Sequence, residues 1–185
     1  MPSFQDFYFQ SSTGRTSIHA LKCVPDSKPR AVVQIAHGIA EHIDRYRPFM
    51  EFLADNGFVV AGNDHLGHGK SIRVPEEQGF FAEKDGWWRV VDDMDKLHDI
   101  MSNEYPELPY VLFGHSMGSF LTRTYLIKHP DKYDGVILSG TGHQSPALVL
   151  GGNAAASVMA KLNGAMGDGA KLDSLAFGTY LSKIE

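Results

Sequence analysis

The stretch Tyr110-Val111-Leu112-Phe113-Gly114-His115-Ser116-Met117-Gly118 decides how the rest of the chain is read. Its first four residues are a short apolar run bounded upstream by Pro106 and Pro109, the pattern of a buried strand. The last five fit Gly-x-Ser-x-Gly. Beyond them Phe120, Leu121, Thr124, Tyr125 and Ile127 recur at helical spacing until His129-Pro130 stops the run. Strand, glycine-flanked serine and helix in that order put the serine on a tight, strained turn. The glycines two residues to either side, Gly114 and Gly118, let neighbouring backbone pass close by. The Ser116 hydroxyl is then raised above the C-terminal edge of a sheet, at a helix N-terminus that favours developing negative charge. That is the posture of a nucleophile.

Upstream, Phe4 to Gln10 alternates aromatic and polar residues as a half-buried strand does. Ser11-Ser12-Thr13-Gly14 reads as a turn and Ser17 to Val24 as a second strand, making an antiparallel hairpin. Ala31 to Ala36 is apolar enough for burial on both faces, as parallel strands are, and it ends in His37-Gly38-Ile39-Ala40-Glu41-His42. Tyr46, Phe49, Met50, Phe52 and Leu53 then space like an amphipathic helix closed by Asn56-Gly57. Phe58 to Gly62 is another buried strand, leading into Asn63-Asp64-His65-Leu66-Gly67-His68-Gly69-Lys70-Ser71.

After a polar segment to about Asp85, a helix is expected from Trp87 to Glu104, with Val90, Val91, Met94, Leu97, His98 and Met101 on one side. Asp92, Asp93, Asp95 and Lys96 make its solvated face and are not read as a metal site. Gly135 to Gly140 is one more strand. Strands alternating with helices give an open α/β fold: a mostly parallel sheet with an antiparallel N-terminal hairpin and helices on both faces. Such sheets place their sites beyond the C-terminal ends of the strands, where the glycine- and histidine-rich loops gather. From Thr141 the composition turns to Ala, Gly, Leu and Met, with short helices expected, for instance at 154–162. The division expected is a core over 1–143 and a partial helical cap or lid with an apolar inner surface over 144–185.

A chain of 185 residues, 43% hydrophobic, can bury a sizeable core. A net charge of -5 without a basic cluster argues against a nucleic-acid partner. Cys23 is the single cysteine, which excludes an internal disulfide and suits a reducing compartment. The N-terminus has neither the basic nor the apolar region of a signal peptide, and no apolar run approaches the ~20 residues of a membrane span. The expectation is a soluble, cytoplasmic protein with no transmembrane segment.

With these residues quoted, the chain resembles the α/β-hydrolase fold, and is similar to the monoacylglycerol lipase, lysophospholipase and serine-aminopeptidase-like branch of it. The segments 37–42, 64–71 and 114–118 carry the resemblance, which runs from Phe4 to about Gly140. It implies a serine hydrolase of carboxylic esters, such as a monoacylglycerol or lysophospholipid, working through an acyl-enzyme. Ser116 would attack the acyl carbonyl, and the backbone N–H groups of Ile39 and Met117 would hold the oxyanion. His37, Gly38, Gly114, His115 and Gly118 would shape the site, His115 pointing away from the pocket. His65 and His68 are read as loop-structuring. No metal and no cofactor are implied.

A serine nucleophile needs a base, which this fold supplies in the order Ser, Asp/Glu, His. No histidine follows Asp168 or Asp173. His129 is at the far end of a helix, Asp131 and Asp134 precede a strand, and His143 has no acid behind it. The chain therefore reads as C-terminally truncated and inactive alone, its acid and histidine lying beyond Glu185 or coming from another chain. The apolar strand 136–140, without protecting charge or proline, would be left as an edge able to self-associate. Two alternatives stay open: a small-ester esterase or aminopeptidase-like hydrolase, and a non-catalytic fragment or binding module completed by another chain.

Overall fold

The structure, a computed structural model, describes residues 1–164. Six strands form one sheet: β1 (Ser3–Gln10), β2 (Ser17–Val24), β3 (Ala31–Ala36), β4 (Phe58–Asn63), β5 (Tyr110–His115) and β6 (Gly135–Ser139). Their spatial order is β1-β2-β4-β3-β5-β6. The first two pairings, β1 with β2 and β2 with β4, are antiparallel; β4, β3, β5 and β6 run parallel. All six residues of β3 are buried, as a strand flanked on both sides and covered on both faces requires.

The helices are α1 (Arg47–Asp55), α2 (Gly86–Glu104), α3 (Met117–Lys128) and α4 (Pro146–Asn163). On one face of the sheet α2 and α3 bury Val90, Met94, Leu112, Met117, Leu121 and Tyr125 in a common cluster. On the other, α1 packs Met50 and Ala54 against Leu21, Val33, Ile35 and Val60. β5 alternates between the two: Tyr110, Leu112 and Gly114 are buried, while Val111, Phe113 and His115 are half-buried on the α1 side.

Three expectations about elements are corrected. α1 forms where its spacing predicts, but the apolar residues named for it do not share one buried face: Tyr46 precedes its first turn, and Phe52 is 62% exposed and Phe49 36%. The sheet beneath α1 accepts Met50 and Ala54, and Phe49 instead lies against the Phe113 ring, centroids 5.3 Å apart. Asp93 does not belong to the solvated face of α2. It is fully buried, accepting from Ser11 Oγ at 2.8 Å and the Ser12 amide at 2.5 Å in the turn between β1 and β2. Finally α4 is much longer than 154–162, because Ser145 accepts the Leu148 amide as its N-cap and Pro146 takes its first position.

The chain divides into two compact units, Met1–Gly142 and His143–Glu185. Within the second, α4 is described; Asp168, Asp173 and the rest of the expected cap after residue 164 lie outside the described residues. No described helix is long and apolar enough to cross a membrane.

Candidate active site

The sequence from β5 into α3 folds as a sharp turn centred on Ser116, whose φ of +51° and ψ of −119° are sterically costly for a residue with a side chain. Neighbours hold it there. The Ser116 amide donates to the Ser139 carbonyl at 2.9 Å, and its own carbonyl accepts from the Ser119 amide at 2.9 Å and Ser119 Oγ at 2.6 Å. Close approach explains the motif glycines. A Cβ at Gly118 would collide with the Ala36 carbonyl at the end of β3, and one at Gly114 with Thr122 Oγ1 and the Gly118 backbone. Ser116 itself is half-buried.

The loop after β3 lies directly against this turn. A Cβ built on Gly38 would stand 3.1 Å from Ser116 Cβ and 2.8 Å from Glu41 Oε1, so only glycine lets the loop come so near. The Met117 amide opens α3 and has no intrahelical partner. Neither it nor the Ile39 amide has a hydrogen-bond partner among the described residues. The Gly38 amide, by contrast, is taken: it donates to Glu41 Oε1, which also accepts from Tyr46 Oη at 2.6 Å. Burial, then the bond to that carboxylate, pushes the Tyr46 phenol well above its ordinary value, so it stays a donor.

His37 anchors the loop from beneath. Its Nε2 accepts the His65 amide at 3.0 Å, and its Nδ1 therefore carries the proton donated to the Gly38 carbonyl at 2.7 Å. The His65 ring lies tilted against it with centroids 4.1 Å apart and is wholly buried, neither ring nitrogen finding a partner among the described residues. Burial, the main cause, brings His37 down to about 4 and His65 well below the ordinary histidine value, so both are neutral. His68 bonds the Leu66 carbonyl at 3.0 Å. Asp64 sits beneath the same loops: Oδ1 accepts the Ile43 amide at 2.7 Å, and Oδ2 the Lys70 amide at 2.8 Å and His19 Nδ1 at 2.8 Å.

The other expected groups are dispersed. Asp134 exchanges hydrogen bonds with Tyr110 at the start of β5, the edge of the sheet opposite Ser116. His129 lies 3.9 Å from Asp95, beyond the last turn of α3. Within Met1–Gly142 no histidine hydrogen-bonds the Ser116 hydroxyl. His115, expected to point away from the pocket, has Nδ1 3.2 Å from Ser139 Oγ and borders a cavity of about 340 Å³ with Glu41, Arg45, Tyr46, Phe49 and Phe113. That cavity opens beside the turn; Ser116 does not line it. Ligand atoms of Asp95, His98 and Asp99 come within 4.8 Å of one another. The Lys132 ammonium stands 2.6 Å from Asp95 and 2.9 Å from Asp99, so the group is satisfied as an ion-pair cluster.

Glu41, Tyr46 and Asp64 are structural partners of the site that motif reading alone passes over. The signal for Glu41 is its place three residues after Gly38, the distance at which a carboxylate reaches back to a turn amide. Asp64 closes forward onto the amide of Lys70, six residues on, but its bond to Ile43 has no local signature.

Comparison with known proteins follows from this geometry. A family model described as serine aminopeptidase, S33, matches residues 27–181. The chain is 36% identical over 143 residues to a monoacylglycerol lipase of Mycolicibacterium smegmatis, covering 75% of this chain and 48% of that one. It is 31% identical over 114 residues to the monoglyceride lipase of Homo sapiens, covering 62% and 36%. A thermostable carboxyl esterase of Bacillus coagulans, crystallised with glycerol, matches with a TM-score of 0.86 and 34% identity, over 99% of this chain and 58% of that one. The chain spans about half the length of the curated relatives it matches, or less.

Proposed function

The chain belongs to the serine aminopeptidase S33 family of α/β-hydrolases, and from that premise we propose that it carries the nucleophilic half of a carboxylic ester hydrolase. Ser116 Oγ attacks the acyl carbonyl carbon while its proton passes to a histidine base outside Met1–Gly142. The alcohol leaves with that proton, and water then releases the acid from the acyl-enzyme. The Ile39 and Met117 amides hold the oxyanion at each tetrahedral stage, where losing one such donor typically costs about 2.7–4 kcal/mol. The observation that carries the reading is the strained φ of +51° at Ser116 with the Gly38 backbone pressed against it and both amides unengaged.

The substrate we infer is a lipid-like ester, a monoacylglycerol or lysophospholipid. In support, the matched relatives include proteins named as monoacylglycerol lipases, and α4 is rich in Leu and Val. A cytoplasmic location goes with this reading, since Cys23 is the single cysteine of the sequence and stands as a free thiol, which suits a reducing compartment. Self-association through β6 is a second proposal, supported by an edge that has no strand partner among the described residues and by the exposure of Ile137 and Leu138.

A fluorophosphonate probe tests the nucleophile. The protein expressed at its full coding length is expected to label rapidly at Ser116 and to lose all labelling in Ser116→Ala, whereas the 185 residues alone label very poorly. Rapid labelling of a monomer of these 185 residues would overturn the assignment of the base; a full-length protein that resists the probe would overturn the nucleophile.

A further inference from the structure

Glu41 is placed where a negative charge should do harm. Its carboxylate lies on the same side of Gly38 as Ser116, the two flanking the point where a Cβ on Gly38 would stand, and its side chain is only 9% exposed. A carboxylate so buried persists only if its oxygens are satisfied. They are. Oε1 takes the Gly38 amide and the Tyr46 hydroxyl, and Oε2 faces the Arg45 guanidinium at 3.6 Å. Arg45 is 70% exposed, so its contribution is screened and the two hydrogen bonds are the stronger hold.

Between Gly38 and Glu41 the backbone takes a left-handed conformation at Ala40, with φ of +56°, which a non-glycine residue adopts only when its surroundings impose it. The bond from the Gly38 amide to the Glu41 carboxylate spans that loop from end to end. Engaging the Gly38 amide leaves its neighbour, the Ile39 amide, as the donor still open.

We propose that Glu41 is a positioning residue for the ester-hydrolysis reaction: its carboxylate, braced by Tyr46, ties down the Gly38 amide and so holds the Ile39 amide at the oxyanion. The role rests on the function proposed above. Glu41 touches no reacting atom; it fixes the backbone that does. Losing the tie lets the loop relax at Ala40 and turns a preorganised dipole into a mobile one, which affects the transition state more than substrate binding.

In the protein expressed at its full coding length, Glu41→Ala is expected to lower kcat for a p-nitrophenyl ester about a hundredfold with KM within about twofold. Glu41→Gln keeps an accepting oxygen for the amide and is expected to stay within about tenfold of the unsubstituted kcat; Tyr46→Phe, which removes the brace, falls between the two. Equal losses in the alanine and glutamine variants, or a change confined to KM, overturn the proposal. The Gly38 amide proton gives a reading independent of turnover: bonded to a carboxylate it resonates downfield, and it should move upfield in Glu41→Ala. An unmoved resonance overturns the tie itself. A protein with no Ser116-dependent turnover overturns the ester-hydrolase reading and this role with it, yet the resonance would still shift, so the two failures are told apart.

Discussion

His37 donates through Nδ1 to the Gly38 carbonyl and accepts the His65 amide at Nε2, so only its neutral form fits both partners. Protonation would set an N–H against an N–H. Because burial holds the folded-state value down to about 4 against an ordinary 6.5, the unfolded chain binds this proton more tightly. The stability His37 contributes is therefore complete above about pH 6.5 and lost as the pH falls towards 4, by up to about 3 kcal/mol. Urea unfolding at pH values from 7.5 down to 4.5 should show that decline, and His37→Asn should make it shallower, the remainder coming from the equally buried His65; an unchanged slope in the variant would refute the assignment. At this scale the sequence is most legible where partners are adjacent. Ser116 and its two glycines declare themselves within five residues, and His37-Gly38 within two. Asp93 is the opposite case, since the Ser11 and Ser12 groups that bury it are about eighty residues away and nothing beside it on α2 hints at them.

Periodicity reports that a helix or strand exists better than it reports which face is covered. The six strands and the first three helices fall close to their expected positions because Gly, Pro and Asn-Gly punctuate them and their apolar runs are of strand or helix length. The failure at α1 is one of coverage. Met50 and Ala54 take the places against the sheet and Phe49 meets Phe113, while Phe52 of the same apolar stripe is left 62% exposed. The failure at α4 is one of signal: Gly151, Gly152 and Asn153 look like a break, yet the Ser145 cap starts the helix before them. β6 makes its own prediction. If its outer edge recruits a second copy, sedimentation velocity should find a dimer that dissociates more readily in Ile137→Lys, since a lysine at a sheet edge opposes strand addition. A protein that stays monomeric at all accessible concentrations would end that idea.

For the molecule as a whole, the sheet is covered unevenly. α2 and α3 close one face as far as Val136 of β6, whereas on the other the α1 cluster reaches from β2 through β4 and β3 to Val111 and Phe113 of β5, and Ile137 of β6 remains 52% exposed. The fold class was readable from the alternation of strands and helices; this asymmetry was not, because it depends on which strands lie side by side. The division at residue 142 is testable at the same scale. Residues 140–145 are exposed, so brief digestion with a nonspecific protease should release a resistant fragment corresponding to Met1–Gly142, identified by mass spectrometry. A first cut inside 31–139 would contradict it.

The serine turn borrows its steadiness from the margin of the sheet. The carbonyl that receives the Ser116 amide belongs to Ser139, the last residue of β6, and the hydroxyl beside the His115 ring is the same residue's. Fraying at that outermost strand thus reaches the backbone of Ser116 through a single bond. A slip of one residue along β5 would hand the amide a different carbonyl and flip every β6 side chain to the opposite face. Whatever comes to lie along the outer border of β6 will therefore also set how firmly the hydroxyl at 116 is aimed.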